Sequence, residues 1–190
     1  MLEAWPVACS GMTPSDKIES GYWERYLARF EGFEPASILE LGVLDGASLT
    51  LWEERFPQAR VVGFDRELVT PPPDTRWTAF ACDQGDTVML DALSRIHGGW
   101  DLIVDDAAHE GALSLASFTT LWPHLRPGGW YIVEDWCTGY WPGWVDFGSG
   151  HSMVDFVKGL VDLLPGAAGP GTLGIASVEF VPGQVFIRKA

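Results

Sequence analysis

At 190 residues the chain has the length of one domain, enough to bury roughly 70% of the surface its unfolded form exposes. Twelve basic against 26 acidic residues give a formal charge of −14, which repels phosphate backbones and anionic membranes and so excludes nucleic acid and membrane surfaces as expected partners. Cys9, Cys82 and Cys137 are odd in number and show no CxxC spacing. That argues against a disulfide framework or a zinc ribbon and for a reducing cytoplasm. No run approaches the ~20 apolar residues of a membrane span, and no basic-then-apolar leader opens the chain, so it reads as soluble and not exported.

In chain order, residues 1–32 read as a leading helical segment. Thr13-Pro14-Ser15-Asp16 is a helix-start signal, and Ile18, Tyr22, Tyr26 and Phe30 then recur on one face. Ser37 to Leu41 reads as a strand, Leu49 to Phe56 as a helix and Arg60 to Asp65 as a second strand, which together make one βαβ unit. Pro71 to Pro73 enforce an extended loop before a short strand at Trp77 to Ala81; Val88 to Ile96 is helical and closes at Gly98-Gly99. Leu102 to Asp105 is the fourth strand, Ala112 to Trp122 a helix, and Trp130 to Val133 the fifth strand after the turn Arg126-Pro127-Gly128-Gly129. Residues 135–151 hold Trp136, Tyr140, Trp141 and Trp144 among glycines and a proline, poor material for helix or strand, and read as a lid or substrate loop. A helix from Met153 to Leu164 and two strands, Ile175 to Val181 and Gln184 to Arg188, joined across Pro182-Gly183, complete the pattern. The expected fold is α/β: a Rossmann-like, doubly wound, mostly parallel seven-stranded sheet closed by an antiparallel hairpin.

Two acidic groups stand where apolar strands run out into loops: Asp105-Asp106-Ala107-Ala108-His109 and Glu134-Asp135. In open α/β sheets ligands sit outside the carboxyl ends of the strands, so carboxylates and an imidazole on that rim suggest a metal-assisted reaction site. The first strand ends in Glu40-Leu41-Gly42-Val43-Leu44-Asp45-Gly46-Ala47-Ser48, where glycines let the backbone turn and a ligand approach. Asp65, at the end of the second strand, suits a ribose diol, whether of a dinucleotide or of an adenosyl cofactor. A dinucleotide fingerprint is disfavoured because Leu44 stands where its second glycine would be.

The run SILELGVLDGASL resembles the first motif of class I S-adenosylmethionine-dependent methyltransferases, in which an acid-x-Gly turn holds the amino acid part of the cofactor. That resemblance implies cofactor contacts from Glu40, Gly42 and Ser48, the ribose on Asp65, and Asp83 and Gln84 beside the adenine; Asp105 is read as touching the cofactor or capping the next helix. More narrowly, DDAAHE, SFTTLWPHLRPGGWYIVEDW and TGYWPGW, with SDKIESGYWERYLARF near the start, resemble the metal-dependent sugar O-methyltransferases of macrolide biosynthesis and related glycan O-methyltransferases. The likeness runs from about Ser15 to the final strand.

By motif, it implies Asp106, Glu134 and Asp135 as ligands of Mg²⁺ or Mn²⁺, since all-oxygen ligation suits those ions better than zinc. It also implies His109 as the base that takes the proton of a sugar hydroxyl. The competing readings are a loop carboxylate at Asp106, a solvent-facing helix-start imidazole at His109, and loop-capping acids at Glu134 and Asp135. His97, His124 and His151 have weaker claims. Trp136, Tyr140, Trp141 and Trp144 are a stacking wall for a sugar ring or simply a packed lid. The expected partner is a small-molecule or glycan acceptor, and homo-oligomerisation is left open. Rival functions are a phenol or catechol O-methyltransferase, a non-catalytic adenosyl-cofactor-binding scaffold, and a nicotinamide-dependent oxidoreductase, the last lacking a Tyr-x-x-x-Lys pair.

Overall fold

The computed structural model describes residues 15–164 and 173–190. Cys9, the Thr13-Pro14 half of the helix-start signal and the loop after Leu164 lie outside the described residues. Seven strands form one sheet: β1 (Ser37–Leu41), β2 (Arg60–Asp65), β3 (Thr78–Ala81), β4 (Trp100–Asp105), β5 (Leu125–Glu134), β6 (Ile175–Val181) and β7 (Gln184–Lys189). Their spatial order is β3-β2-β1-β4-β5-β7-β6. The first five run parallel, and β7 inserts antiparallel between β5 and β6. This is the mixed, doubly wound sheet that the alternation of strands and helices predicts.

The helices cover both faces. On one lie α4 (Thr87–His97), α5 (Gly111–Leu121) and α6 (Met153–Gly159), with a core of Leu39, Leu41, Ile103, Phe118, Tyr131 and Val133. On the other lie α2 (Tyr22–Arg29) and α3 (Ala47–Arg55), over Ile38, Trp52, Leu102, Val104, Ile132 and Phe186. Alternate residues of each central strand therefore feed opposite cores. The alternation also disposes of the acids at the strand ends. Glu40 and Glu134 are in phase with Ile38 and Ile132 and point toward α2 and α3, whereas Asp105 is in phase with Ile103 and points toward α5.

Three departures from the periodicity have local causes. The leading helix is broken: α1 (Asp16–Glu19) starts from the Ser15 side-chain cap, and Gly21, with φ 72°, turns the chain left-handed before α2. The fifth strand starts at Leu125, five residues earlier than the apolar run suggests, and a register irregularity between Trp100 and Leu102 absorbs the Pro127-Gly128-Gly129 turn. The helix expected to reach Leu164 stops at Gly159 and tightens into a 3₁₀ turn, Leu160–Leu163.

Candidate active site

A cleft of about 920 Å³ opens at the carboxyl ends of β1, β2, β4 and β5. The parallel register aligns Leu41 with Asp105 and Asp105 with Val133, so the loops leaving β1, β4 and β5 all start at one level. Gly42 lets them meet. At φ 87° it takes a conformation that L residues avoid, and a Cβ there would lie 2.0 Å from the Asp106 carbonyl oxygen. The non-glycine residues with positive φ among those described are Leu44, His109 and Asp135, and all three line this cleft. Such strain persists only where surrounding contacts hold it, and it collects at functional sites.

On the β1–β2 side, Asp65 accepts from the backbone N–H of Val43 (2.8 Å) and Leu44 (3.2 Å) through one oxygen and from Glu67 N–H (2.9 Å) through the other. Partial burial pushes this carboxyl up, but the N–H groups of Glu67, Val43 and Leu44 outweigh it and hold the group below its ordinary range. Gly42, Ser48, Asp65 and Asp83 line the cleft. Gln84 also lines it, but its amide is committed elsewhere: it donates to Asp105 (2.7 Å) and Ser117 (3.2 Å) and accepts from the Ala108 N–H (3.2 Å).

Glu40 and Asp105 lie behind the lining, not on it. Glu40 is fully buried, accepting from Trp52 Nε1 at 2.5 Å. Asp105 accepts from Gln84, Ser117 and Tyr131, and burial raises its carboxyl to about 6.

On the β4–β5 side, Asp106, His109 and Asp135 come together, with one donor atom from each within 4.8 Å of the others. His109 Nε2 stands 3.8 Å from Asp106 Oδ1 and 3.8 Å from Asp135 Oδ2. The His109 backbone is held by donors from the aromatic loop: Trp144 Nε1 (3.0 Å) and Thr138 Oγ1 (3.4 Å) both bond its carbonyl oxygen. That loop is pinned by Asp146, which accepts from the Gly111 and Met153 N–H groups at 2.9 and 3.0 Å. Trp144 lines the cleft, while Tyr140 and Trp141 are half exposed. Trp136 turns away to bond the Val181 carbonyl.

Glu134 does not join this group. Its carboxylate turns inward to Lys17 Nζ (2.6 Å), Tyr26 OH and Gln184 Nε2 (3.4 Å). Burial, followed by the charge of Asp106, raises it to about 8. Lys17 and Tyr26 are functional-site neighbours that periodicity assigns no such place, because a helix-start lysine and a face tyrosine ordinarily mean solvent and packing. The usable signal was the need of adjacent buried acids for a compensating charge.

The donor set of Asp106 and Asp135 fits a hard divalent cation, and the left-handed Gly42 turn beside Asp65 fits a ligand that approaches the backbone closely. No family model matches the chain. Over 158 residues, 75% of its length and 40% of the relative's, it is 34% identical to L-olivosyl-oleandolide 3-O-methyltransferase of Streptomyces antibioticus. It is 32% identical, over 88% of its length and 49% of the relative's, to 8-demethyl-8-alpha-L-rhamnosyl tetracenomycin-C 2'-O-methyltransferase of Streptomyces olivaceus. In fold it matches MycE methyltransferase from the mycinamycin biosynthetic pathway, in complex with Mg and SAH, with a TM-score of 0.76 at 28% identity over 90% of this chain and 49% of that one.

The chain has the class I methyltransferase fold and is a relative of the sugar O-methyltransferases. It spans half or less of the length of the curated relatives it matches. Gly42, Asp65 and Asp83 line one side of the cleft, and Asp106, His109 and Asp135 line the other.

Proposed function

We propose that this chain transfers the methyl group of S-adenosylmethionine to a sugar hydroxyl of a glycan or glycosylated natural product, with Mg²⁺ or Mn²⁺ as a second cofactor. The observation that carries this reading is the convergence of Asp106, His109 and Asp135 at one end of the cleft whose other end is built around Gly42 and Asp65.

A sulfonium donor leaves as a neutral thioether, so no side chain is needed to protonate a leaving group. What an alcohol lacks is nucleophilicity. A bound divalent cation lowers the hydroxyl pKa and orients its oxygen. Asp106 and Asp135 would hold that cation, and His109 Nε2, 3.8 Å from an oxygen of each, accepts the departing proton. Trp144 and Thr138 fix the His109 backbone, so the imidazole is presented from a loop that does not have to reorganise.

On the cofactor side Asp65, whose carboxyl is held below its ordinary range, would accept from a ribose diol. Glu40, Asp105 and Glu134, assigned to cofactor or metal by motif, act from behind the lining: Asp105 through Gln84 on the Ala108 end of the loop, Glu40 and Glu134 through Lys17.

The cleft is lined with carboxylates, among them Asp16, Glu19, Asp83 and Glu110, against Arg66 and His109. Such a lining supports a neutral or cationic acceptor over nucleic acid or a phosphorylated sugar. Among the described residues no helix is long and apolar enough to cross a membrane. The free thiols of Cys82 and Cys137 suit the cytoplasm as the place of reaction.

The test is turnover by the purified chain on a panel of glycosylated acceptors and catechols, with Mg²⁺ and with EDTA. Methylation of sugar hydroxyls that EDTA abolishes is the expected result. Preference for catechols would move the acceptor class, and cofactor binding without any turnover would favour a scaffold subunit.

A further inference from the structure

Lys17 is 1% exposed, yet its ammonium is charged and lies among three carboxylates: Asp106 Oδ2 at 2.5 Å, Glu134 Oε2 at 2.6 Å and Glu40 Oε1 at 3.3 Å. Burial favours the neutral amine, but Asp106, Glu134 and Glu40 together override it and drive its pKa upward. The residue sits on α1, a helix of four residues that cannot be stable on its own account. Ser15, Asp16 and Glu19 of the same turn line the cleft. The side chain of Lys17 is therefore what ties a wall of the cleft to the acids at its floor. Asp106 is divided by this arrangement: Oδ2 faces Lys17, and Oδ1 faces His109 and the cleft.

We propose that Lys17 is a positioning residue that shares the Asp106 carboxylate with the divalent cation, weakening metal binding while it holds α1 as the cleft wall. This rests on the metal-dependent reading above. Two cations on one carboxylate oppose each other, so removal of the lysine charge strengthens metal binding as long as the site keeps its shape. Linkage makes the effect reciprocal: metal loosens α1 to the degree that Lys17 loosens metal.

The experiment is Mn²⁺ titration, read by electron paramagnetic resonance, of the full chain loaded with S-adenosylhomocysteine and without acceptor. Wild type, Lys17→Met and Lys17→Gln are compared; the glutamine keeps a hydrogen-bond donor without the charge. Both variants are expected to bind Mn²⁺ about tenfold tighter while holding S-adenosylhomocysteine to within about threefold of wild type. In wild type alone, hydrogen exchange at the Ser20 amide, which bonds the Asp16 carbonyl in α1, is expected to quicken about threefold on adding Mn²⁺.

Unchanged or weaker Mn²⁺ binding in a variant that retains S-adenosylhomocysteine overturns the proposal, as does metal-independent exchange at Ser20. A purely structural lysine would instead lower metal binding, cofactor binding and melting temperature together. Wild type that binds S-adenosylhomocysteine but no Mn²⁺ would sink the metal reading and this inference with it, whereas variants no tighter than wild type sink this inference alone.

Discussion

His109 sits at φ 51° with its carbonyl clamped by Trp144 and Thr138 and its ring between Asp106 and Asp135. That backbone conformation costs about 1–3 kcal/mol and persists only where surrounding contacts hold it, which fits the role proposed for its side chain. Substituting His109→Ala removes the proposed proton acceptor and is expected to lower kcat by ~10²–10⁴-fold, with S-adenosylhomocysteine binding unchanged by calorimetry. Asp106→Ala is expected to abolish the stimulation by Mg²⁺ in the same assay; full, metal-stimulated activity in both variants would remove the assigned roles.

The acids and the histidine were legible one by one because they stand at the ends of apolar runs. Which of the acids face the cleft was not legible. Glu134 and Asp135 are neighbours in sequence, yet strand alternation sends the first inward to Lys17 and Tyr26, and the left-handed Asp135, accepting from Tyr22 at 2.5 Å, stays at the rim. Gln84 was read from its motif as an adenine neighbour, and its three hydrogen bonds to Asp105, Ser117 and Ala108 are long-range contacts that no local pattern encodes.

At the level of elements, the loops are set by close backbone approaches. Gly42→Ala would place a methyl group against the Asp106 carbonyl, and it is expected to impair cofactor binding and metal stimulation together, since one shift displaces both sides of the cleft. Gly183 serves the hairpin between β6 and β7 in the same manner: a Cβ there would strike the Tyr22 hydroxyl that reaches Asp135.

Away from the cleft, Asp101 joins β4 to the start of β1. It accepts from the Ala36 and Ser37 N–H groups, from Ser37 Oγ and from Arg126, each at 2.9 Å. Burial pushes its carboxyl up, but Arg126, Ser37 and Ala36 prevail and hold it below the ordinary range. With a folded pKa below the unfolded one, its contribution is fully present above about pH 4 and is lost as pH falls through the lower, folded value. Asp101→Asn is therefore expected to destabilise the chain by about 1–3 kcal/mol at pH 7. In urea melts the gap from wild type narrows below pH 4; a gap independent of pH would contradict the assignment.

The strands and the crossover helices were readable from apolar runs and glycine punctuation. The break at Gly21 was not, because Ile18, Tyr22, Tyr26 and Phe30 keep helical spacing across it. The break matters, since it aims Lys17 into the core.

Over the whole molecule, the reversed β7 between β5 and β6 gives the sheet its methyltransferase order, and the break between β1 and β4 connections places the cleft at the switch point of that sheet. The excess of 26 acidic over 12 basic residues was visible from composition, and part of it lines the cleft, where it disfavours anionic acceptors. The disposition of the aromatic loop was not readable in the same way: Tyr140 and Trp141 remain half exposed while Trp144 packs inward to His109.

The central claim is adenosyl-cofactor binding coupled to a metal site in this chain. Calorimetric titration with S-adenosylmethionine and S-adenosylhomocysteine, in Mg²⁺ and then in EDTA with NAD as control, tests it most directly. The account predicts binding of both adenosyl compounds, heats that change with the metal, and none with NAD. Binding of NAD with no response to either adenosyl compound would contradict it and return the cleft to a nicotinamide-dependent oxidoreductase.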